Sequence, residues 1–253
     1  MTVPLHYTLD GPSDAPVLVL GSSLGTPGAL WQPQMEALTE RFRVLRYDHR
    51  GHGGSPVPPG PYALADLGGD LLALLDILSL ERVHLGGLSL GGMVAMWVAA
   101  HAPERVERLA LLCTSARLGP PSMWAERAYL VRQGGLAAIA DAMVARWFTP
   151  EFASRHAGVV AWARRMLVTT PEAGYIACCA AIETMDLVPS LPSITAPTLA
   201  IAGAADPATP PSHLEQIASG IPGARLEIVA DAAHLANVER PEAVIRLLLE
   251  FFT

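Results

Sequence analysis

The chain has 253 residues, in which 17 arginines, with no lysine, stand against 24 aspartates and glutamates, giving a formal net charge of -7. This acidic balance, without any dense run of basic residues, argues against a nucleic-acid-binding surface. The three cysteines are too few and wrongly spaced for a metal cage or a disulfide framework, so we expect free thiols in a cytoplasmic protein.

Short apolar runs alternate with longer segments of helical periodicity, which is typical of a parallel sheet covered by helices on both faces. In chain order the pattern first predicts a strand at 17–20, a helix at 31–41, a strand at 42–48, a helix at 62–80, a strand at 82–88 and a helix at 90–101. It then predicts a strand at 106–113, a strand at 197–203, a helix at 211–219, a strand at 224–230 and a helix at 241–251.

One interval breaks this alternation. Between about 117 and 190 only helical patterns occur, such as WAERAYLVRQ and LAAIADAMVARW, and prolines lie near both ends. An insertion of this size between two strands indicates a helical cap over the sheet. We therefore predict a core domain made of residues 1–116 and 191–253, with a cap of residues 117–190 inserted in it.

The apolar segments do not indicate export or membrane insertion. The amino-terminal segment MTVPLHYTLDG lacks a basic start followed by an apolar core, so we expect no signal peptide. The most hydrophobic stretch, 85–100, is uncharged but short for a membrane span, and it contains glycines and a serine. We expect a soluble globular protein with neither a membrane nor a nucleic acid as partner.

The segment Gly87-Leu88-Ser89-Leu90-Gly91 has the form G-x-S-x-G, with a predicted strand before it and a predicted helix after it. Five-residue patterns arise by chance in glycine-rich chains, but this context is the one that a nucleophile elbow requires. Small flanking residues let the strand and the helix approach closely, and the turn presents the serine hydroxyl at the carboxyl end of the sheet. Ser89 is the predicted nucleophile.

A serine hydroxyl is a weak nucleophile and requires a base, which in turn requires an orienting acid. In this architecture the order along the chain is serine, acid, histidine. His234 alone among the histidines lies between the last predicted strand and the last helix, so it is the predicted base. Asp206 is the only carboxylate in the loop after strand 197–203 and is the predicted acid. Its competitor Asp231 shares a short loop with His234 and would have to fold back sharply to reach the ring.

Hydrolysis by a serine also needs two donors for the oxyanion. The backbone N–H of Leu90 follows the nucleophile directly, and the loop GSSLGT after the first predicted strand offers the N–H of Leu24. In the same loop, Ser23 is expected to contact the substrate. The alternative that GSSLGT is only a glycine-rich turn stays open. We interpret YDHRGHGGS, residues 47–55, as a structural turn beside the nucleophile loop rather than as a second catalytic group.

Four segments, GLSLGG, YDHRGHGGS, GAADPATP and HLANVERPE, together resemble the α/β-hydrolase superfamily over nearly the whole chain. Three others, SSLGTPGALWQPQ, ARWFTPEF and GYIACCAAI, resemble the 3-oxoadipate enol-lactonases, although Ser22 stands where the lactonase loop often has asparagine. The resemblance implies an α/β-hydrolase fold with a mostly parallel sheet and a cap inserted after the sixth strand. It also implies hydrolysis of 3-oxoadipate enol-lactone to 3-oxoadipate in bacterial aromatic catabolism, without a metal or an organic cofactor.

The implied small-molecule substrate is a lactone that carries a carboxylate, so we expect a cation in the binding pocket. The predicted cap contains six candidate arginines that the sequence does not distinguish: Arg127, Arg132, Arg146, Arg155, Arg164 and Arg165. Arg132 is taken as the candidate for substrate binding, with Trp124 and Trp147 as pocket walls.

Two alternatives stay open at this level. The same fold and triad serve carboxylesterases, cofactor-free haloperoxidases (perhydrolases) and C–C bond hydrolases, because the fold does not decide the activity. A ligand-binding protein that keeps the triad without turnover is the alternative from a different functional class. The sequence gives no oligomeric state, and a homo-oligomer stays open.

Overall fold

A seven-stranded sheet lies at the centre of the computed structural model, which describes residues 1–253. The strands are β1 (Tyr7–Asp10), β2 (Val17–Gly21), β3 (Arg43–Tyr47), β4 (Val83–Leu88), β5 (Val106–Leu112), β6 (Thr198–Gly203) and β7 (Arg225–Val229). Their order in the sheet is β1-β3-β2-β4-β5-β6-β7. The edge strand β1 runs antiparallel to β3, and every other neighbouring pair is parallel.

Eleven α-helices connect and cover these strands. They are α1 (Met35–Thr39), α2 (Leu64–Ile77), α3 (Leu90–His101), α4 (Pro121–Gly134), α5 (Ala137–Trp147), α6 (Pro150–Arg155), α7 (Ala157–Thr169), α8 (Glu172–Thr184), α9 (Pro211–Gly220), α10 (Ala236–Glu239) and α11 (Pro241–Phe252). Three 3-10 helices, Gly28–Gln34, Pro103–Arg105 and Val188–Ser193, complete the connections.

The centre of the sheet and the helix after β4 form the deepest part of the core. Every residue of β4 and of β6 is buried, which explains their continuous apolar sequences, since helices cover both faces of a parallel sheet. Most of α3 is buried as well, so the hydrophobic stretch 85–100 is an internal strand and helix. No helix of the fold has both the length and the apolar character needed to cross a membrane.

The helices α4 to α8, which we call the inserted helices, lie between β5 and β6. Within this group α4 packs against α8, and α5 packs against α7. The segment follows the fifth strand of this chain rather than the sixth, because the sheet has seven strands and only β1 to β5 precede the insertion.

The six predicted strands and five predicted helices are all present, with small shifts at their ends. The strand β1 was not predicted, because a largely exposed edge strand of four residues carries little of the apolar pattern that marks the others. The predicted helix 31–41 is a 3-10 helix in its first part, where Pro33 lies inside the helical segment, and becomes α-helical only at Met35.

Candidate active site

Ser89 occupies the sharp turn between β4 and α3. Its backbone dihedral angles are φ 55° and ψ -115°, in a region that residues other than glycine rarely adopt. Hydrogen bonds hold the turn in this form. The Ser89 N–H donates to the Leu112 carbonyl at 2.9 Å, and the Thr114 hydroxyl donates to the Ser89 carbonyl at 2.7 Å. Strain of this kind is typical of functional turns, where the surrounding structure overcomes it.

The glycines beside Ser89 are explained by close backbone contacts. A Cβ atom on Gly87 would lie 2.2 Å from the carbonyl carbon of Gly91, and a Cβ atom on Gly91 would lie 2.3 Å from that of Gly21. In addition, the Gly91 N–H donates to the Ser22 carbonyl at 2.9 Å. The absence of side chains therefore lets the start of α3 rest directly on the end of β2 and its loop.

His234 lies between Ser89 and Asp206. Its Nε2 is 3.0 Å from Ser89 Oγ, and its Nδ1 is 2.8 Å from Asp206 Oδ2. When Nδ1–H donates to the carboxylate, Nε2 is left unprotonated and accepts from the serine hydroxyl. The competitor Asp231 is exposed, and its nearest cation is the Arg240 guanidinium at 3.7 Å. The structure thus brings together the three residues that the sequence order selected.

Asp206 is only 3% exposed, and its carboxylate is fully hydrogen-bonded. Oδ1 accepts from the N–H groups of Ala208 at 2.7 Å and Thr209 at 3.0 Å, and Oδ2 accepts from the Thr209 hydroxyl at 2.7 Å. Burial by itself raises the pKa of Asp206. The charge of His234, with the hydrogen bonds from His234 and Thr209, outweighs burial, so the pKa lies below its ordinary value. The carboxylate is therefore ionised at neutral pH.

The two predicted oxyanion donors lie next to this group. Leu90 is the first residue of α3, so its N–H has no acceptor within the helix. Leu24 lies in the turn after β2, and its N–H donates to no backbone carbonyl. Both Ser23 and Leu24 line the same cavity as Ser89 and His234. Two unused backbone donors are therefore available beside the serine.

This cavity lies between the sheet and the inserted helices. The inserted helices contribute half of its lining: Met123, Trp124, Arg127, Met143, Arg146, Trp147, Tyr175 and Ile182. Trp124 and Trp147 thus lie on the cavity wall, where the sequence placed them. The lining is mostly apolar with a few polar groups, as is usual for small-molecule sites.

Two arginines line the cavity, and neither is the predicted one. Arg127 lies with its guanidinium 4.3 Å from the centre of the Trp124 ring, and Arg146 donates to the Pro207 carbonyl at 3.1 Å. Neither is within ion-pair distance of a carboxylate, whereas Arg164 pairs with Asp141. Burial and the neighbouring charge of Arg127 lower the pKa of Arg146. Two unpaired positive charges therefore face one enclosed space.

The prediction of Arg132 is wrong. Arg132 is exposed and does not line the cavity, because it lies five residues after Arg127 on α4 and thus points to another side of that helix. Helical spacing could have found Arg127, because Trp124 is a predicted pocket residue, but not Arg146, because Met143 was not predicted to line the pocket. Arg127 follows the buried Trp124 by three residues, and Arg146 follows Met143 by three, so each shares a helix face with a cavity residue.

The loop at 47–55 is a structural turn, as interpreted. The Asp48 carboxylate accepts from the N–H groups of Gly28 at 2.7 Å and Gly54 at 2.9 Å. The buried Arg50 guanidinium donates to Asp70 at 2.7 Å, which fixes the loop to α2. None of these charged groups lines the cavity that contains Ser89.

The cysteines and the possible metal ligands do not form a second reactive site. The three cysteines, Cys113, Cys178 and Cys179, are free and buried. Burial raises the pKa of each thiol, so none is a reactive thiolate. No group of three or more histidine, cysteine, aspartate or glutamate side chains has an arrangement suited to a metal ion.

Known proteins resemble this chain along nearly its whole length. The sequence profile of the α/β-hydrolase fold family matches residues 16–241. The 3-oxoadipate enol-lactonase 2 of Acinetobacter baylyi is 39% identical, over 95% of this chain and 90% of that protein. Among solved structures, the enol-lactonase from Burkholderia xenovorans LB400 has a TM-score of 0.96 and 43% identity, covering 98% of this chain and 95% of that one.

A thermophilic esterase from Thermogutta terrifontis is also similar, with a TM-score of 0.91 and 32% identity, over 97% of this chain and 92% of that one. The same fold therefore occurs in proteins that are named for different activities. The chain belongs to the α/β-hydrolase fold family, as a hydrolase related to the 3-oxoadipate enol-lactonases.

Proposed function

We propose that this protein is a serine hydrolase that opens 3-oxoadipate enol-lactone to 3-oxoadipate, as a cytoplasmic step of aromatic catabolism. Residues 117–190 serve as the cap domain over the site. One observation carries the proposal: the hydrogen-bonded series Ser89, His234, Asp206 opens into a cavity that also contains two unpaired arginines. The similarity to the enol-lactonases supports the choice of substrate.

In the first half of the reaction Ser89 Oγ attacks the lactone carbonyl carbon while His234 Nε2 takes the hydroxyl proton. Asp206 stabilises the imidazolium that forms, and it remains ionised throughout. The backbone N–H groups of Leu24 and Leu90 stabilise the oxyanion of the tetrahedral intermediate. When the intermediate collapses, the bond to the ring oxygen breaks, and His234 returns the proton to the enol oxygen. The opened chain is then an ester of Ser89.

In the second half a water molecule attacks the ester carbonyl carbon, and His234 takes its proton. The collapse of this second intermediate breaks the bond to Ser89 Oγ, which regains its proton from His234. The product leaves with a new carboxylate, and its enol tautomerises to the ketone. Every proton is transferred by one imidazole, so the reaction needs no group beyond the triad, the two donors and water.

The lactone carries a carboxylate arm, and the two cavity arginines bind it. Arg127 and Arg146 carry guanidinium groups, which bind carboxylates through charge-assisted hydrogen bonds. Ser23, Trp124 and Trp147 form walls around the ring of the bound substrate. A simple uncharged ester has no group for the two cations, which favours the lactone over the esterase alternative.

The test follows the ultraviolet absorbance of 3-oxoadipate enol-lactone, generated in situ, with the wild-type protein and with Ser89→Ala. A parallel run uses p-nitrophenyl butyrate. Fast loss of the lactone that disappears in Ser89→Ala is the expected result. Cleavage of the ester with the lactone left intact would overturn the substrate while keeping the triad. Inactivity on both, with no labelling of Ser89 by a fluorophosphonate, would favour a binding protein.

A further inference from the structure

The loop after β3 carries two buried histidines that the proposed mechanism does not use, His49 and His52. Both are at most 1% exposed, and their ring centres lie 6.1 Å apart. Neither lines the cavity that contains Ser89. Each ring instead makes a hydrogen bond to the backbone of the loop that contains Leu24.

His52 accepts a hydrogen bond from this loop. Its Nε2 lies 2.9 Å from the Gly25 backbone nitrogen, which can only donate, so Nε2 carries no proton. The proton is on Nδ1, which faces the Arg50 carbonyl at 3.3 Å. Gly25 has a φ of +79°, a left-handed conformation that favours glycine. The turn that points its N–H toward His52 therefore depends on the glycine at this position.

His49 makes the complementary contact as a donor. Its Nε2–H donates to the Ser22 carbonyl at 3.0 Å, and the same carbonyl accepts from the Gly91 N–H. Burial, together with the charge of His52, lowers the pKa of His49 to about 3, and burial lowers the pKa of His52 to about 4. Both rings are therefore neutral at the pH of the cytoplasm, as these two hydrogen bonds require.

The two contacts lie on either side of one peptide unit. The Leu24 N–H belongs to the peptide between Ser23 and Leu24. The preceding peptide includes the Ser22 carbonyl, which His49 holds, and the following peptide includes the Gly25 N–H, which His52 holds. A peptide between two fixed neighbours cannot rotate freely, so these bonds determine where the Leu24 N–H points.

We propose that His49 and His52 are positioning residues that aim the Leu24 N–H at the oxyanion. This inference rests on the proposed function, since it needs an oxyanion to be stabilised. It gives a role in the reaction to two histidines that never contact the substrate. It also explains why a polar pair lies buried beneath the loop, where apolar packing would otherwise be expected.

The test compares His52→Leu, which has no acceptor, with His52→Gln, whose Oε1 can take the place of Nε2. Complete loss of an oxyanion donor lowers kcat by roughly 100- to 1000-fold, so a misdirected donor in His52→Leu should lower kcat on p-nitrophenyl butyrate by roughly 10- to 100-fold. We expect KM to change by less than about 2-fold, because the donor acts mainly in the transition state. His52→Gln should restore most of kcat.

A second readout isolates the oxyanion site. Butylboronic acid forms a tetrahedral adduct with the serine, so its affinity should fall in His52→Leu by about the same factor as kcat. If His52→Leu does not fold, His52→Asn takes its place, since its shorter amide cannot reach Gly25.

Unchanged kcat and boronate affinity in His52→Leu would overturn the inference. Equal losses of kcat and of boronate affinity in His52→Leu and His52→Gln would also overturn it, because they indicate a general structural role rather than the loss of one acceptor. Failure of the proposed function is seen separately, in the wild-type protein, as absent ester and lactone turnover with no fluorophosphonate labelling of Ser89. That result would remove the basis of the inference as well.

Discussion

Arg127 and Arg146 reach the same cavity from two consecutive helices, α4 and α5, and neither is paired with a carboxylate of the protein. Two like charges repel each other, so an anion that binds between them relieves their repulsion. A neutral ester provides no such anion. We therefore predict that the pair gives the site a preference for substrates that carry a negative charge.

Replacing Arg127 by methionine tests this preference, because methionine keeps much of the side-chain volume and removes the charge. A hydrogen bond to a charged group contributes about 1.5–3 kcal/mol, so we expect KM for the enol-lactone to rise roughly 10- to 150-fold. The rate with p-nitrophenyl butyrate should not fall. Arg146 is less suitable, since it also donates to Pro207 beside Asp206.

Arg132→Met is the matched control, because Arg132 is on the same helix but exposed. Its steady-state parameters with the lactone should equal those of the wild type. Equal KM values for Arg127→Met and the wild type would show that the carboxylate binds elsewhere, and a rise in Arg132→Met would show that α4 is oriented differently.

The close contact between Gly91 and Gly21 gives a prediction about stability. A Cβ atom at position 91 would lie 2.3 Å from the Gly21 backbone, where no side chain can move aside. Overpacking of this kind destabilises by about 3 kcal/mol at the upper end of its usual range, and we expect Gly91→Ala to lose about that free energy of unfolding. Urea denaturation followed by circular dichroism measures it.

Gly158→Ala is the control for this substitution. Gly158 lies in the first turn of α7, and a Cβ atom there would meet no other heavy atom within 4 Å, so the alanine variant should stay within about 0.5 kcal/mol of the wild type. A Gly91→Ala protein as stable as the wild type would contradict the close packing of β2 against α3.

The buried carboxylate of Glu239 connects the loop of His234 to the inserted helices. Its Oε2 accepts from the Ala233 N–H at 2.8 Å, and its Oε1 accepts from the N–H and the hydroxyl of Thr149. All three partners are donors. In Glu239→Gln the amide NH₂ must face one of them, which leaves buried donors without an acceptor.

We therefore expect Glu239→Gln to lower the free energy of unfolding by about 1–3 kcal/mol in urea denaturation. We also expect kcat to fall, because Ala233 directly precedes His234. Glu250→Gln, at an exposed position of α11, should stay within about 0.5 kcal/mol of the wild type. Equal stability of the two variants would mean that the bonds of Glu239 are not needed to hold the loop.

The part of the site that follows from local sequence was predictable. Ser89 was found because a strand, a tight glycine-flanked turn and a helix are adjacent in the chain, and His234 and Asp206 because parallel strands end at one edge of the sheet. Asp206 was preferred to Asp231 because Asp231 shares a short loop with His234 and would have to fold back sharply to reach the ring. These relationships depend on backbone topology, which hydrophobic periodicity determines well.

The parts that were missed depend on tertiary contacts. Arg127 and Arg146 line the cavity because of how α4 and α5 are rotated against the core, and only part of that rotation is visible as spacing from Trp124 and Met143. The hydrogen bond from the Gly25 N–H to His52 joins residues 27 positions apart, and it depends on which ring nitrogen of His52 carries the proton. Neither feature leaves a pattern in the sequence. The strand β1 was missed because an exposed edge strand lacks an apolar pattern.

The neutral state of His49 and His52 predicts how stability depends on pH. Their pKa values lie at about 3 and about 4 in the folded protein, against 6.5 as the ordinary value. Below pH 6.5 the unfolded chain therefore binds protons that the folded protein does not, so stability falls as the pH decreases from 6.5 toward 4. Between pH 7 and pH 5 each histidine should remove about 2 kcal/mol from the free energy of unfolding.

Urea denaturation of the wild type and of His52→Gln at pH 7 and pH 5 measures this dependence. The glutamine does not titrate, so the variant should lose about 2 kcal/mol less than the wild type over this interval. The comparison cancels the contributions of titrating groups that His52 does not influence, such as Asp206, because both proteins share them. The pKa of His49 should stay low in the variant, because burial is its main cause. An equal loss in the two proteins would mean that His52 takes up its proton in the folded state, and its Nε2 could then no longer accept from Gly25.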